Sequence, residues 1–145
     1  NQYYLSINRP NIVNSTVLAV IKILEFYNIS LIGKNVTIIG RSYNISRPLA
    51  NYLINLNSTV TICHSKTRGL VNILKNSDIV VGATGVNNLF KSSDLKDGCV
   101  VIDIGLGEVL IDSDNISYTP KTKGVGPLSI AFLLENLVTS CKKLK

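Results

Sequence analysis

The chain has 145 residues, of which 46% are hydrophobic and 17% charged, so it is too apolar for a disordered chain and long enough to bury one core. Its net charge of +6 is scattered, apart from the tail Lys142-Lys143-Leu144-Lys145, and no basic stripe alternates with aromatics, which argues against a nucleic-acid surface. No apolar run approaches the ~18–20 residues of a membrane span, and residues 1–10 lack a signal-peptide pattern, so no membrane partner and a cytoplasmic location are expected.

In chain order, residues 16–27 (TVLAVIKILEFY) predict a largely buried helix, with Asn14 or Ser15 as N-cap and Asn28 closing it in a left-handed turn. Residues 31–34 form a turn, and the β-branched run 36–39 (VTII), ending at Gly40, predicts a buried strand. A polar loop leads to a helix opening near Pro48 (PLANYLINL). Residues 59–62 (TVTI) predict a second strand, 69–76 a short helix and 78–83 (DIVVGA) a third strand. Residues 92–95 read as a short helical turn and 99–104 (CVVIDI) as a fourth strand. Residues 112–123 are polar and irregular, and Pro127 suits the first turn of a last helix over 128–141.

Strands alternating with helices, the strands apolar on both faces, imply an α/β fold. We expect a Rossmann-like doubly wound parallel sheet with helices on both faces, forming a single domain over residues 1–145. Such sheets bind ligands beyond the carboxyl ends of their strands, near the topological switch point. Cys63, Cys99 and Cys141 form neither a CxxC motif nor a Cys/His cluster, so no metal and no disulfide framework are expected, and a reducing compartment fits. The chain contains no methionine, which implies a segment of a longer product or a processed start.

Strand ends carry the candidate chemistry. Gly40-Arg41-Ser42 opens the turn between the first strand and a helix, where backbone amides, the guanidinium and the hydroxyl could meet a phosphate. It is not GxGxxG, and an ordinary connection with a solvated arginine would read the same way. After the second strand stand Cys63-His64-Ser65-Lys66-Thr67-Arg68. An NAD-binding unit places an acid here, about 20 residues past its glycine loop, to grip the ribose hydroxyl. This loop has no acid and is basic, which favours NADP over NAD; a solvated basic loop is the alternative. Ala83-Thr84-Gly85 and Ile104-Gly105-Leu106-Gly107 are small-residue strand ends over which a nucleotide could lie. Asp103 reads as a buried structural acid, and the run from Thr119 to Pro127 as a glycine-rich approach to a helix N-terminus. There is no nucleophile–base pair and only one histidine, so no catalytic residue is assigned.

Taken together, GRSYNISRP, TVTICHSKT, ATG, VVIDIGLGEV and TPKTKGVGPLSIAFLLENLV stand in the order and spacing of one family. The chain resembles the nucleotide-binding domain of the bifunctional methylenetetrahydrofolate dehydrogenase/methenyltetrahydrofolate cyclohydrolases over residues 16–138. The resemblance implies an NADP cofactor: Gly40, Arg41 and Ser42 near the pyrophosphate and 2′-phosphate, His64 and Ser65 near the adenosine ribose, Thr84 and Gly85 flanking the cofactor. It implies Leu106 near the nicotinamide, and Gly124, Gly126 and Pro127 facing a folate substrate. It also implies a homodimer for the full-length protein, with hydride transfer from methylenetetrahydrofolate followed by hydrolysis to formyltetrahydrofolate.

The sequence departs from the family pattern. Ser46 stands where the family commonly has glycine, Gly107 where it has asparagine, and Lys121-Thr122-Lys123 where it has Val-Pro-Gly. The family's catalytic N-terminal domain carries Tyr-x-x-x-Lys, and none of the six tyrosines here has lysine four residues on. The expectation is therefore the NADP-binding domain of that enzyme, inactive alone; the alternative is a stand-alone, non-catalytic nucleotide-binding module.

Overall fold

The computed structural model describes residues 12–143. Helix α1 spans Ser15–Phe26. Asn14 caps it: its Oδ1 accepts from the amides of Thr16 at 2.9 Å and Val17 at 3.4 Å, satisfying donors that a helix start leaves open. Asn28, at φ 53°, turns the chain out of the helix.

Five parallel strands then build the main sheet: β1 (Asn35–Ile39), β2 (Thr59–Cys63), β3 (Ile79–Gly82), β5 (Val100–Asp103) and β7 (Ser117–Tyr118). Their spatial order is β2-β1-β3-β5-β7. From β1 the chain steps to β2 on one side, then crosses back to β3 on the other, so the switch point lies between β1 and β3. Ile39 pairs with Gly82 and Gly82 with Asp103, which brings three strand ends level. A second, two-stranded parallel sheet joins β4 (Phe90–Lys91) to β6 (Val109–Leu110). Helices α2 (Ser46–Asn55), α3 (Leu70–Leu74) and α4 (Val125–Lys143) complete the fold.

Side chains alternate across a strand, and the two cores follow that rule. Val36, Ile38, Ile79, Val81 and Ile102 face α1, α2 and the start of α4. Ile39, Val80 and Val101 face α3, Leu95 and the small sheet. Helices on one face and helix plus small sheet on the other confirm the doubly wound α/β architecture.

The structure corrects the sequence reading in three places. β7 lies inside the stretch read as irregular, and β4 and β6 were not expected; each has two residues, too few to show a period. β2 is not buried on both faces: it is an edge strand, and Thr59, Thr61 and Ile62 are exposed. α4 opens at Val125, so Pro127 is its third residue, and α2 opens two residues ahead of Pro48. Cys63 and Cys99 are free and buried, and burial pushes the Cys63 thiol up and the Cys99 thiol up to about 12. Among the described residues, no helix is long and apolar enough to cross a membrane.

Candidate functional site

The switch point is closed at its base by Gly40. Its amide donates to the Cys63 carbonyl at 2.8 Å, and the amide of Ala83 donates to the Ile39 carbonyl at 2.9 Å, tying the ends of β1, β2 and β3 together. Gly40 adopts φ +128°, and a Cβ there would stand 2.7 Å from the Ala83 carbonyl oxygen. Only glycine satisfies both the dihedral and the close approach. The backbone is thus pinned low where the chain leaves the sheet.

Ser42 serves that turn from within. Its Oγ accepts from the amides of Ile45 at 3.2 Å and Ser46 at 3.1 Å, so it caps the approach to α2. Ser46 is fully buried beneath the turn, 3.3 Å from Ser42 Oγ, and its own Oγ lies 3.1 Å from where a Gly40 Cβ would be. The hydroxyl that replaces the family's glycine therefore packs under the loop. Arg41 is exposed and forms no ion pair among the described residues.

The loop after β2 is a turn stitched by its own atoms. The His64 amide donates to Thr67 Oγ1 at 2.9 Å, His64 Nδ1 accepts from the Lys66 amide at 3.1 Å, and the Thr67 amide donates to the His64 carbonyl at 2.8 Å. These bonds leave Ser65, Lys66 and Arg68 exposed, and neither Lys66 nor Arg68 has an ion-pair partner among the described residues. With Arg41 they give this end of the crevice three unpaired cations, a setting suited to phosphate.

The ends of β3 and β5 are organised differently. Asp103 is 4% exposed, and its Oδ2 accepts from the amides of Gly107 at 2.7 Å and Glu108 at 2.9 Å. That bond pair turns the chain and drives Glu108 inward to 0% exposure. Glu108 Oε1 accepts from the amides of Thr84 at 2.6 Å and Gly85 at 2.7 Å. Gly82 and Gly105 make room: a Cβ on Gly82 would lie 2.7 Å from Glu108 Oε2, and one on Gly105 would collide with Oε1. Asp103 Oδ1 and Glu108 Oε2 are buried without a hydrogen-bond partner among the described residues. Burial pushes the Glu108 carboxyl above the usual carboxylate range; the Gly85 and Thr84 amides pull it back, and the charge of Asp103 raises it.

Glu108 was not singled out from the sequence, where it is one acid in a run of small and apolar residues. The available signal was the pair of glycines, Gly82 and Gly105, each at a strand end and each leaving space for one side chain. Leu106, at φ +66°, projects 56% exposed beside this cluster.

Gly124 is buried, and a Cβ there would stand 2.5 Å from the Pro120 carbonyl oxygen, while Gly126 and Pro127 are exposed in the first turn of α4. Lys123, where the family has glycine, is held at φ +62°. Gly124 and Pro127 border a cleft of about 830 Å³ that runs between α1 and the β5–β7 edge and lies apart from the switch point. Along α4, Ile130, Leu133, Leu134, Leu137 and Val138 form an apolar stripe that is 53–63% exposed. The sequence-predicted residues thus fall into a crevice group (Gly40, Arg41, Ser42, His64, Ser65, Thr84, Gly85, Leu106) and a separate group at the start of α4.

Comparison with known proteins agrees with this fold. The family described as "Tetrahydrofolate dehydrogenase/cyclohydrolase, NAD(P)-binding domain" matches residues 14–145. A "Bifunctional protein FolD" of Lacticaseibacillus paracasei is 42% identical, over 94% of this chain and 52% of its own length. The crystal structure of the bifunctional methylenetetrahydrofolate dehydrogenase/cyclohydrolase FolD from Campylobacter jejuni superposes with a TM-score of 0.89 at 37% identity, covering 98% of this chain and 55% of that one. The FolD of Trypanosoma brucei, solved with NADP cofactor and inhibitor, gives 0.88 at 32% identity, covering 99% and 56%. The chain spans about half the length of these curated relatives.

Proposed function

Since the chain belongs to the tetrahydrofolate dehydrogenase/cyclohydrolase NAD(P)-binding domain family, we propose that it is the NADP-holding part of a methylenetetrahydrofolate dehydrogenase/methenyltetrahydrofolate cyclohydrolase. The observation that carries this reading is the pinning of Gly40 against Ala83 at the switch point, with Arg41, Lys66 and Arg68 exposed on the β1–β2 side and without ion pairs among the described residues. A dinucleotide shelf with a basic adenosine end is what an NADP site requires.

In this reading Gly40 and Arg41 receive the pyrophosphate, and Ser42 holds the turn in shape as a cap. Arg41, His64 and Ser65 surround the adenosine ribose and its 2′-phosphate. Thr84, Gly85 and Leu106 border the nicotinamide. When bound, NADP⁺ supplies the hydride acceptor for the folate carbon. Gly124, Gly126 and Pro127 face the folate, and their backbone sets where that substrate meets the ring.

We assign the remaining wall of the folate site, with its Tyr-x-x-x-Lys lysine, to a further domain of a longer protein. The apolar stripe on α4 is a surface such a domain would cover. The longer protein is proposed to act as a cytoplasmic homodimer. The single nucleotide-binding domain is proposed to span residues 1–145, of which 1–11 and 144–145 lie outside the described residues, and to have no dehydrogenase turnover by itself.

Calorimetric titration with NADP⁺ and NAD⁺ tests the reading. NADP⁺ binds more tightly than NAD⁺, and Arg41→Ala removes most of that difference. Equal affinities, or a preference for NAD⁺, would overturn it.

A further inference from the structure

The mechanism leaves Glu108 unused, yet the fold commits a great deal to it. Two strand-end glycines clear its space, Asp103 fixes its backbone amide, and its carboxylate takes the amides of Thr84 and Gly85. No lysine, arginine or histidine pairs with it among the described residues. The cation beside the cluster, Lys121, has its Nζ 3.6 Å from where a Gly107 Cβ would be and bonds to neither acid. A carboxylate buried without a counter-ion exerts its field on whatever lies across the two amides it holds, because little water screens it.

What lies there follows from the topology. A dinucleotide crosses the sheet at the switch point, with its adenosine ribose over the end of β2. Its other end must then lie over β3 and β5, above Thr84 and Gly85. That end is the nicotinamide ring, cationic when oxidised and neutral when reduced.

We propose that Glu108 is a specificity-determining residue for the oxidation state of the cofactor: its buried carboxylate makes the site hold oxidised, cationic nicotinamide more tightly than the reduced, neutral ring. The inference rests on the NADP reading above and deepens it. Asp103, on the same side of the loop, adds to the negative field. Glu108 is placed behind the loop and touches no substrate, so its effect is on the balance between the two forms.

The test is calorimetric titration of the purified chain and of Glu108→Gln with three probes: NADP⁺, NADPH and 2′,5′-ADP, which carries the adenosine phosphates without the ring. Glutamine keeps an oxygen for the two amides and removes the charge. The wild type binds NADP⁺ more tightly than NADPH. The variant loses about fivefold in that ratio, while 2′,5′-ADP binds both proteins alike. A merely structural role would weaken all probes together, and that result, or an unchanged ratio, overturns the inference while leaving the NADP reading intact. If the variant does not fold, the wild-type ratio still decides, since NADPH binding as tightly as NADP⁺ sinks the proposal. Failure of all three probes to bind overturns the NADP reading itself, and the inference with it.

Discussion

The two ends of the crevice solve opposite electrostatic problems. At the β1–β2 end, Arg41, Lys66 and Arg68 are exposed and without ion pairs among the described residues, and the loops are held by local bonds such as the His64–Thr67 turn. At the β3–β5 end, charge is buried and the loops are held by it: Asp103 and Glu108 together take four backbone amides. In the proposed function the first end offers its charge to the cofactor, and its exposed side chains contribute little to stability. The second spends its charge on shaping backbone, and tolerates two buried oxygens without partners to do so. A charge at a strand end can serve binding or architecture, and burial separates the two cases.

Substitutions sharpen that contrast. The largest effect belongs to Gly40, where the two ends meet. Gly40→Ala forces a Cβ against the Ala83 carbonyl at φ +128°, costing about 3 kcal/mol in denaturant unfolding and abolishing measurable nucleotide binding. Next is Gly105→Ala, whose Cβ collides with Glu108 and should cost roughly 2 kcal/mol. Adding Glu108→Ala removes the collision with that side chain and leaves the 2.9 Å approach to the Gly85 amide, so a double-mutant cycle should show partial coupling; additive costs would break the picture of an acid seated on glycines.

At the open end, Arg41→Ala weakens NADP⁺ binding roughly tenfold and leaves the melting temperature within error, since the side chain is exposed and unpaired. A large loss of stability would show that this end is architectural too.

The pH dependence sets Glu108 apart from other acids of the fold. Burial raises the Glu108 carboxyl, so the folded chain holds that proton more tightly than the unfolded chain. Its contribution to stability is full below the ordinary glutamate value of about 4.3 and is lost as pH rises through the higher folded value. Asp78, held low first by its bond from Lys96, and Asp112, held low by the Ser93 amide, act oppositely and at lower pH, where stability falls with acid. Melting curves of wild type and Glu108→Gln should therefore diverge as pH rises through that window, the variant declining less; parallel curves would deny that the fold raises the Glu108 carboxyl. The smallest effect is Lys123→Gly, which relieves a left-handed lysine at φ +62° and stabilises by about 0.5 kcal/mol.

Much of this molecule was readable before any coordinates. Runs such as 36–39 and 99–104 are strongly β-branched and apolar, and Asn14 and Asn28 punctuate α1 by local chemistry, so the strand–helix alternation and the parallel sheet followed from neighbouring residues. The glycine turn after β1 and the acid-free loop after β2 were legible for the same reason: their meaning depends on position along the chain. The β7 edge, the small β4–β6 sheet and the exposure of β2 were not, because two-residue strands and edge positions are defined by partners far away in sequence. Glu108 is the clearest case. Of its neighbours in the chain only Gly105 hints at its burial, by leaving space; the rest depends on amides 24 and 23 residues away, at Thr84 and Gly85, and on the space left by Gly82. Local pattern settles which segments become strands and helices, whereas the burial of a charge is a property of the assembled strand ends, since only there do the donors and the missing side chains come together.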